Sequence, residues 1–184
     1  DFSATLTSRD TTISGTVEAS AVDAVALKTS GAVTATIKAD TAAVLNTTLT
    51  DANTNAYKLT VTGASAKATD LDGLNTKTSV AVDASAIKNI DGTISAGAVE
   101  VNKVVTAANA GEISGLGNET VTFSTTTVDA DINLVNAINN FTTGLITLPT
   151  LTFDKGADKT TEALNLGTDL GDLGGITGLA KIDA

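Results

Sequence analysis

Apolar and polar residues alternate with a period of two in six stretches of the chain, the pattern of a half-buried strand. "DFSATLT" sets Phe2, Ala4 and Leu6 on one face and Ser3, Thr5 and Thr7 on the other. "AVTATI" sets Val33, Ala35 and Ile37 against Thr34 and Thr36, and "YKLTVT" sets Tyr57, Leu59 and Val61 against Lys58, Thr60 and Thr62. "SVAVDAS", "ETVTFS" and "GLITLPTLTF" follow the same rule. Threonine on the alternate face suits a pleated surface with one side in water. Pro149 interrupts the last stretch and has no N–H for a ladder, so an edge strand or a bend is expected there.

Between these stretches the apolar spacing becomes helical. "SAVDAVALKT" places Val22, Val25 and Ala26 on one side, and "ATDLDGLNTKT" places Ala68, Leu71 and Leu74, with Thr69 or Asp70 positioned to cap. "DINLVNAINNF" places Ile132, Val135, Ile138 and Asn139, with Asp131 as the cap. "ADTAAVLN" and "SAGAVEVNKVVTAANA" complete the set. The second carries Val101, Val104 and Val105 on one stripe, and Ser95 is its expected cap. The oxygen-rich segments "DANTNA" (Asp51 to Ala56), "DLDG" (Asp70 to Gly73) and "NIDG" (Asn89 to Gly92) are expected to be turns.

One phrase recurs. "LNTKTSVAVDAS" (Leu74 to Ser85) echoes "ALKTSGAVTATI" (Ala26 to Ile37), and a third version follows Val135 and Ile138 as "NNFTTG". Each reads as a short helix, a polar turn (Asn75 to Thr78 in the second copy) and a strand that Val80 and Val82 enter. Thr29 and Thr78 stand 49 residues apart (78 − 29), and Thr78 and Thr142 stand 64 apart (142 − 78), so insertions separate the copies. Leu170, Leu173, Ile176 and Leu179 continue at a three-residue beat. Strands alternating with short helices imply parallel pairing, because each connection must cross the sheet. The predicted fold is β-rich with short helices, a solenoid-like stack of strand–short helix repeats forming one elongated domain over residues 1–184. A β-sandwich with inserted helices is the alternative.

Composition narrows the chemistry. Of 184 residues 42% are apolar and only 3% aromatic, without Trp, Met or Cys, so Val, Ile, Leu and Ala must fill a thin, layered core. Without Cys there are no disulfides and no thiol or thiolate chemistry. Without His there is no Ser-His-Asp triad and no His-ligated zinc. The net charge of −10 and the scattered distribution of 11 Lys and Arg exclude the basic face of a nucleic-acid binder. No apolar run approaches the roughly 20 residues of a membrane span. The start at Asp1 without a signal peptide suggests a processed mature form or an excised fragment.

Carboxylate pairs remain as candidate acid–base groups, Asp70 with Asp72 and Asp129 with Asp131, but both have the i, i+2 spacing of turn and capping residues. Calcium is the one cofactor left open, with Asp70, Asp72 and Asp91 as its weak candidate ligands. "GLGNE" lacks the glycine spacing and the lysine of a nucleotide loop. Asn46, Asn118 and Asn140 head N-glycosylation triplets, about as many as chance supplies in so Asn- and Thr-rich a chain.

"ATDLDGLNTKTSVAVDAS" and "AGEISGLGNETVTFS" resemble the Ala/Thr/Val-rich repeats of large bacterial surface and secreted proteins, including cyanobacterial adhesin-like chains. The resemblance covers mainly residues 60–125. It implies an extracellular, non-enzymatic scaffold and brings no catalytic residues. An extracellular structural or adhesive protein that assembles with itself into a filament, layer or stalk is therefore expected. Residues 1–12 would form a strand that pairs with a neighbouring subunit through Phe2, Ala4 and Leu6. A carbohydrate-binding or calcium-associated adhesion module, with a glycan or cell surface as partner, and a phage tail-fibre segment are the alternatives.

Overall fold

The computed structural model describes residues 8–95, 98–123, 132–147 and 176–177. In the first part β1 (Thr11–Val17) leads to α1 (Ala19–Ala26), β2 (Val33–Ile37) and β3 (Asp40–Thr41), then to α2 (Ala42–Thr48). There follow β4 (Ala56–Lys58), β5 (Val61–Thr62), β6 (Ser65–Lys67) and α3 (Ala68–Lys77). The chain continues through β7 (Val82–Asp83), β8 (Asn89–Gly92), β9 (Ile94–Ser95), β10 (Ala98–Val99) and α4 (Glu100–Asn109). It ends with β11 (Ile113–Ser114), β12 (Thr120–Phe123), α5 (Ile132–Phe141), β13 (Ile146–Thr147) and β14 (Ile176–Thr177). The content is thus mixed α/β, with short strands and short helices in alternation.

Pairing runs in chain order. The first sheet is β1-β2-β4 and the second β14-β13-β12-β8-β6, both parallel throughout, and β3-β5 and β11-β7 are short parallel pairs. Among the described residues the one antiparallel pair is β9-β10, and no sheet closes into a barrel. The helices follow the same order, α1 against α2, α2 against α3, α3 against α4 and α4 against α5. Thr11 lies opposite Val33 and Ala35 opposite Tyr57, in each case 22 residues on (33 − 11, 57 − 35). Asn89 lies opposite Thr120, 31 residues on (120 − 89), and the β9-β10 hairpin sits inside that interval. The loose spacing of the repeated phrase is therefore a matter of insertions between paired strands.

Local sequence accounts for the elements. In β2 Val33, Ala35 and Ile37 are buried while Thr34 and Thr36 face solvent, as the alternation requires. In α3 Ala68, Leu71 and Leu74 turn one face to the core. The Thr41 hydroxyl caps α2 by accepting the Val44 N–H at 3.3 Å. Among the described residues the buried apolar side chains, from Val22 to Ile146, form one continuous cluster in which Tyr57 and Phe123 are the aromatic members. Small aliphatic residues suffice because each helix packs on its neighbouring helices and on only a few short strands. Each fully buried Leu, Ile or Val contributes about 1.5–3 kcal/mol.

Several expectations need correction. Ser95 does not cap a helix: it lies in β9, and α4 begins only at Glu100. α3 begins at Ala68 after Lys67, which makes no side-chain cap bond, so Thr69 and Asp70 lie within its first turn. That helix runs to Lys77, so Asn75 to Lys77 are helical, Thr78 is extended and bridges to Asn55, and the chain bends at Ser79 and Val80. Of "SVAVDAS" only Val82 and Asp83 are in a strand, and Val80 is exposed. "DLDG" is helical, and "NIDG" is β8, an inner strand between β6 and β12. The strands β1 and β6 were not anticipated. Ser8 to Asp10 lie outside any strand, and β1 starts at Thr11. Asp131, Pro149, Leu170, Leu173 and Leu179 lie outside the described residues.

Leu27 and Leu74 also differ, although the repeated phrase aligns them: Leu27 is 58% exposed and Leu74 fully buried. Leu74→Ala is expected to destabilise the fold by about 2–5 kcal/mol, the usual cost of emptying a core leucine site. Leu27→Ala is expected to stay within about 0.5 kcal/mol. Equal midpoint shifts for the two variants in urea denaturation would contradict this assignment.

Candidate functional site

The repeated phrase folds into a polar corner. Thr29, Thr78 and Thr142 follow the C-terminal ends of α1, α3 and α5 and are all buried. Each hydroxyl serves two successive layers at once. The Thr29 hydroxyl donates to the Arg9 carbonyl (2.8 Å) and accepts the Gly31 N–H (3.0 Å). The Thr142 hydroxyl donates to the Glu119 carbonyl (2.6 Å) and accepts the Gly144 N–H (3.0 Å). The Thr78 hydroxyl donates to the Tyr57 carbonyl (2.7 Å) and accepts the N–H groups of Tyr57 (3.0 Å) and Val80 (3.1 Å). In all three the donor reaches the residue of the preceding layer that stands opposite position i+2.

The third residue of the phrase answers to the same geometry. A side chain at Gly31 would run into the Arg9 carbonyl, and one at Gly144 into the Glu119 carbonyl, so glycine lets the two backbones meet. At the middle corner Val80 takes this place and points outward. Between the first two corners Asn55 fills the column. It bridges to Thr78, accepts the Val33 N–H on Oδ1 (2.8 Å), and donates through Nδ2 to Asp51 (2.9 Å) and the Asn53 carbonyl (3.1 Å). The Lys-Thr-Ser centre is thereby engaged in backbone bonding rather than held ready for a ligand. Lys77 donates its ammonium to the Leu49 carbonyl of the neighbouring loop.

The acidic candidates separate. Asp70 accepts from the Asn46 amide (3.1 Å), which ties α2 to α3, and Asp91 accepts from the Asn89 amide (2.7 Å). Asp70 and Asp91 line one open cleft of about 160 Å³ together with Thr41, Ser65 and Lys67. Asp72 is not part of it and pairs instead with Lys103 at 3.3 Å, a solvent-facing contact worth well under about 1 kcal/mol. Among the described residues no three or more His, Cys, Asp or Glu side chains group closely enough to hold a metal by themselves. Phe2, Ala4, Leu6, Asp129 and Asp131 lie outside the described residues.

A second polar cluster joins α1 to the loop after α2. Asp23, almost fully buried, accepts the Thr50 N–H (2.6 Å), the Asp51 N–H (2.9 Å) and the Thr50 hydroxyl (2.8 Å). Asp51 accepts from the Asn53 N–H (3.2 Å) and from the side-chain amides of Asn53 (3.2 Å) and Asn55 (2.9 Å). The Tyr57 hydroxyl is buried without a geometric hydrogen-bond partner among the described residues. Burial pushes its pKa up from 10.0 to about 12, and the negative charges of Asp51 and Asp23 add to the rise. The Asp-x-Asn-x-Asn spacing is visible in "DANTN". Asp23 is not, because 28 residues (51 − 23) separate it from the loop it completes. Glu119 is a further buried carboxylate. Its Oε2 accepts the Gly117 N–H (2.7 Å), and its Oε1 has no partner among the described residues.

Removing the Thr78 hydroxyl strands two N–H groups and a carbonyl in the interior. Thr78→Val is expected to cost about 1–3 kcal/mol, and Thr78→Ser, which keeps the hydroxyl, clearly less. A urea series in which the two variants match would contradict the bonding role. Tyr57 is the one tyrosine, so absorbance titration reads it alone. The folded pKa lies above the unfolded value, so this group's contribution to stability is complete below about pH 10 and is lost as pH rises towards about 12. Phenolate absorbance that develops near 10 in the folded protein would refute the burial argument.

Comparison of the chain with protein-family models, with curated proteins and with solved structures finds no match.

Proposed function

We propose that the chain is an extracellular structural or adhesive protein whose layers form a solenoid-like stack and whose strand edges join copies into a filament, surface layer or stalk. One observation carries this reading: parallel pairing proceeds in chain order, each strand of the two larger sheets beside its neighbour in the succession. A stack built in this way has two ends, and an end strand offers unpaired backbone groups to another chain. At the N-terminal end β1 pairs with β2 alone among the described residues. Its sequence "TTISGTV" carries no charge to repel an added strand.

The chemistry of the rest of the chain supports a role without catalysis. The corner hydroxyls and amides are engaged in backbone bonds, and there is no His or Cys to act as a base or nucleophile. The resemblance to bacterial surface repeats supports the extracellular setting.

Parallel pairing also makes the two ends chemically different, so joining copies end to end is heterologous and open. Filaments or sheets are therefore expected in electron micrographs of the purified chain, with a mass that grows with concentration in sedimentation velocity. A sedimentation pattern of monomer alone at every concentration, with bare grids, would sink the reading.

A further inference from the structure

β1, at seven residues, is the longest strand among the described residues, where the next, β2, has five, and it pairs on one side. An edge of that length is usually blunted by charge, by proline or by a bulge. β1 contains no charged residue and no proline, but it carries the one register slip among the described strand pairs. Ile13 faces Ala35 and Thr16 faces Thr36, three steps against one (16 − 13, 36 − 35), so Ser14 and Gly15 are extra residues in β1. Gly15 takes the left-handed conformation, φ +82°, with no described atom within 4 Å of the place its side chain would occupy. Glycine therefore serves the backbone here, not a lack of room.

The slip falls between the two places where β1 offers backbone groups to an added strand. The Thr11 N–H donates to the Ala32 carbonyl (2.9 Å) and the Val17 carbonyl accepts the Lys38 N–H (2.8 Å), so both residues turn towards β2. Alternate residues of a parallel strand turn the other way, which leaves Thr12 and Thr16 facing the open edge. In a regular strand such positions lie two residues apart, whereas these lie four apart (16 − 12) with Ser14 and Gly15 between them. We propose that the Ser14–Gly15 bulge is a brake on the addition of a second copy of this chain along β1, holding the joint to one short piece of the edge so that association stays reversible. This rests on the reading of β1 as an edge that meets other copies. A strand of the same chain is what the edge matches, because β2 already lies parallel on its other side with Thr34 and Thr36 beside Thr12 and Thr16. Without Ser14 and Gly15 the strand would read Thr-Thr-Ile-Thr-Val and keep every partner on β2.

Sedimentation velocity over a concentration series tests the brake, with the full chain, a chain lacking Ser14 and Gly15, and Gly15→Val compared. The deletion is expected to lower the concentration at which assemblies form by about tenfold, the factor that one or two recovered ladder bonds supply. Gly15→Val is expected to act in the same direction, because it disfavours the left-handed conformation and extends the alternation of Ile13 and Val17. Its position is exposed and open, so it keeps the test decisive if the deletion does not fold. Adding Thr12→Pro removes an N–H that faces the open edge and is expected to reverse the gain. A gain that survives Thr12→Pro would overturn the proposal. So would assembly of all three chains at one concentration, which leaves self-assembly itself standing. Monomer in every chain at every concentration would overturn both.

Discussion

The fold depends on how the backbone is satisfied where the chain leaves a helix and enters the next layer. At that corner N–H and C=O groups of two layers meet in a buried place, and each group left alone would cost about 1–3 kcal/mol. A threonine hydroxyl solves this because one oxygen both donates and accepts. At Thr29, Thr78 and Thr142 it takes an N–H from its own layer and gives its hydrogen to a carbonyl of the layer before. A carboxylate or an ammonium can do only half of this and would add a buried charge. Asn55, the substitute in the same column, succeeds because an amide also carries both functions.

Because the corner bonds join a layer only to its neighbour, the structure tolerates uneven spacing. The side-chain ties obey the same rule: Glu18 to Lys38, Asp23 to Thr50, Asn46 to Asp70, Asp72 to Lys103 and Asn75 to Glu112 all link successive layers. An insertion that leaves the strand ends in register disturbs nothing beyond its own layer. The β9-β10 hairpin is such an insertion, lodged between two strands, β8 and β12, that still pair along four residues.

This locality explains what could be read from the sequence. The alternation in "AVTATI" and the helical stripes of Val101, Val104, Val105 and of Leu71, Leu74 depend on period alone, and they are where the pattern puts them. The repeated phrase was legible as a corner because its hydroxyl and glycine have fixed local roles. "NIDG" was not legible as a strand: Asn, Asp and Gly favour turns, and pairing on both sides overrides that preference. "DLDG" was misread for a related reason, since the burial of Leu71 and Leu74 outweighs the low helix propensity of Asp and Gly. Leu27 departs from Leu74 because α1 stops at Ala26 and leaves it outside the core. Asp23 was beyond reach, since no local signal tells an aspartate on a helix that its partners lie a whole layer away.

The same constraint explains where charge is found. A layer one helix thick has little interior, and small aliphatic residues fill it, so most charged side chains remain at the surface. Among the described residues the exceptions, Asp23 and Glu119, each accept backbone N–H groups that no strand or helix satisfies, those of Thr50 and Asp51 in one case and of Gly117 in the other. Asp23 serves the loop after α2, where Asn55 rather than a threonine fills the column, whereas Glu119 stands at the corner of Thr142, whose hydroxyl takes the Glu119 carbonyl and leaves the Gly117 N–H to the side chain. A carboxylate supplies acceptors there but no donor, and it brings a charge that the hydroxyl does not. Among the described residues buried charge therefore marks loops whose N–H groups no strand, helix or corner hydroxyl reaches.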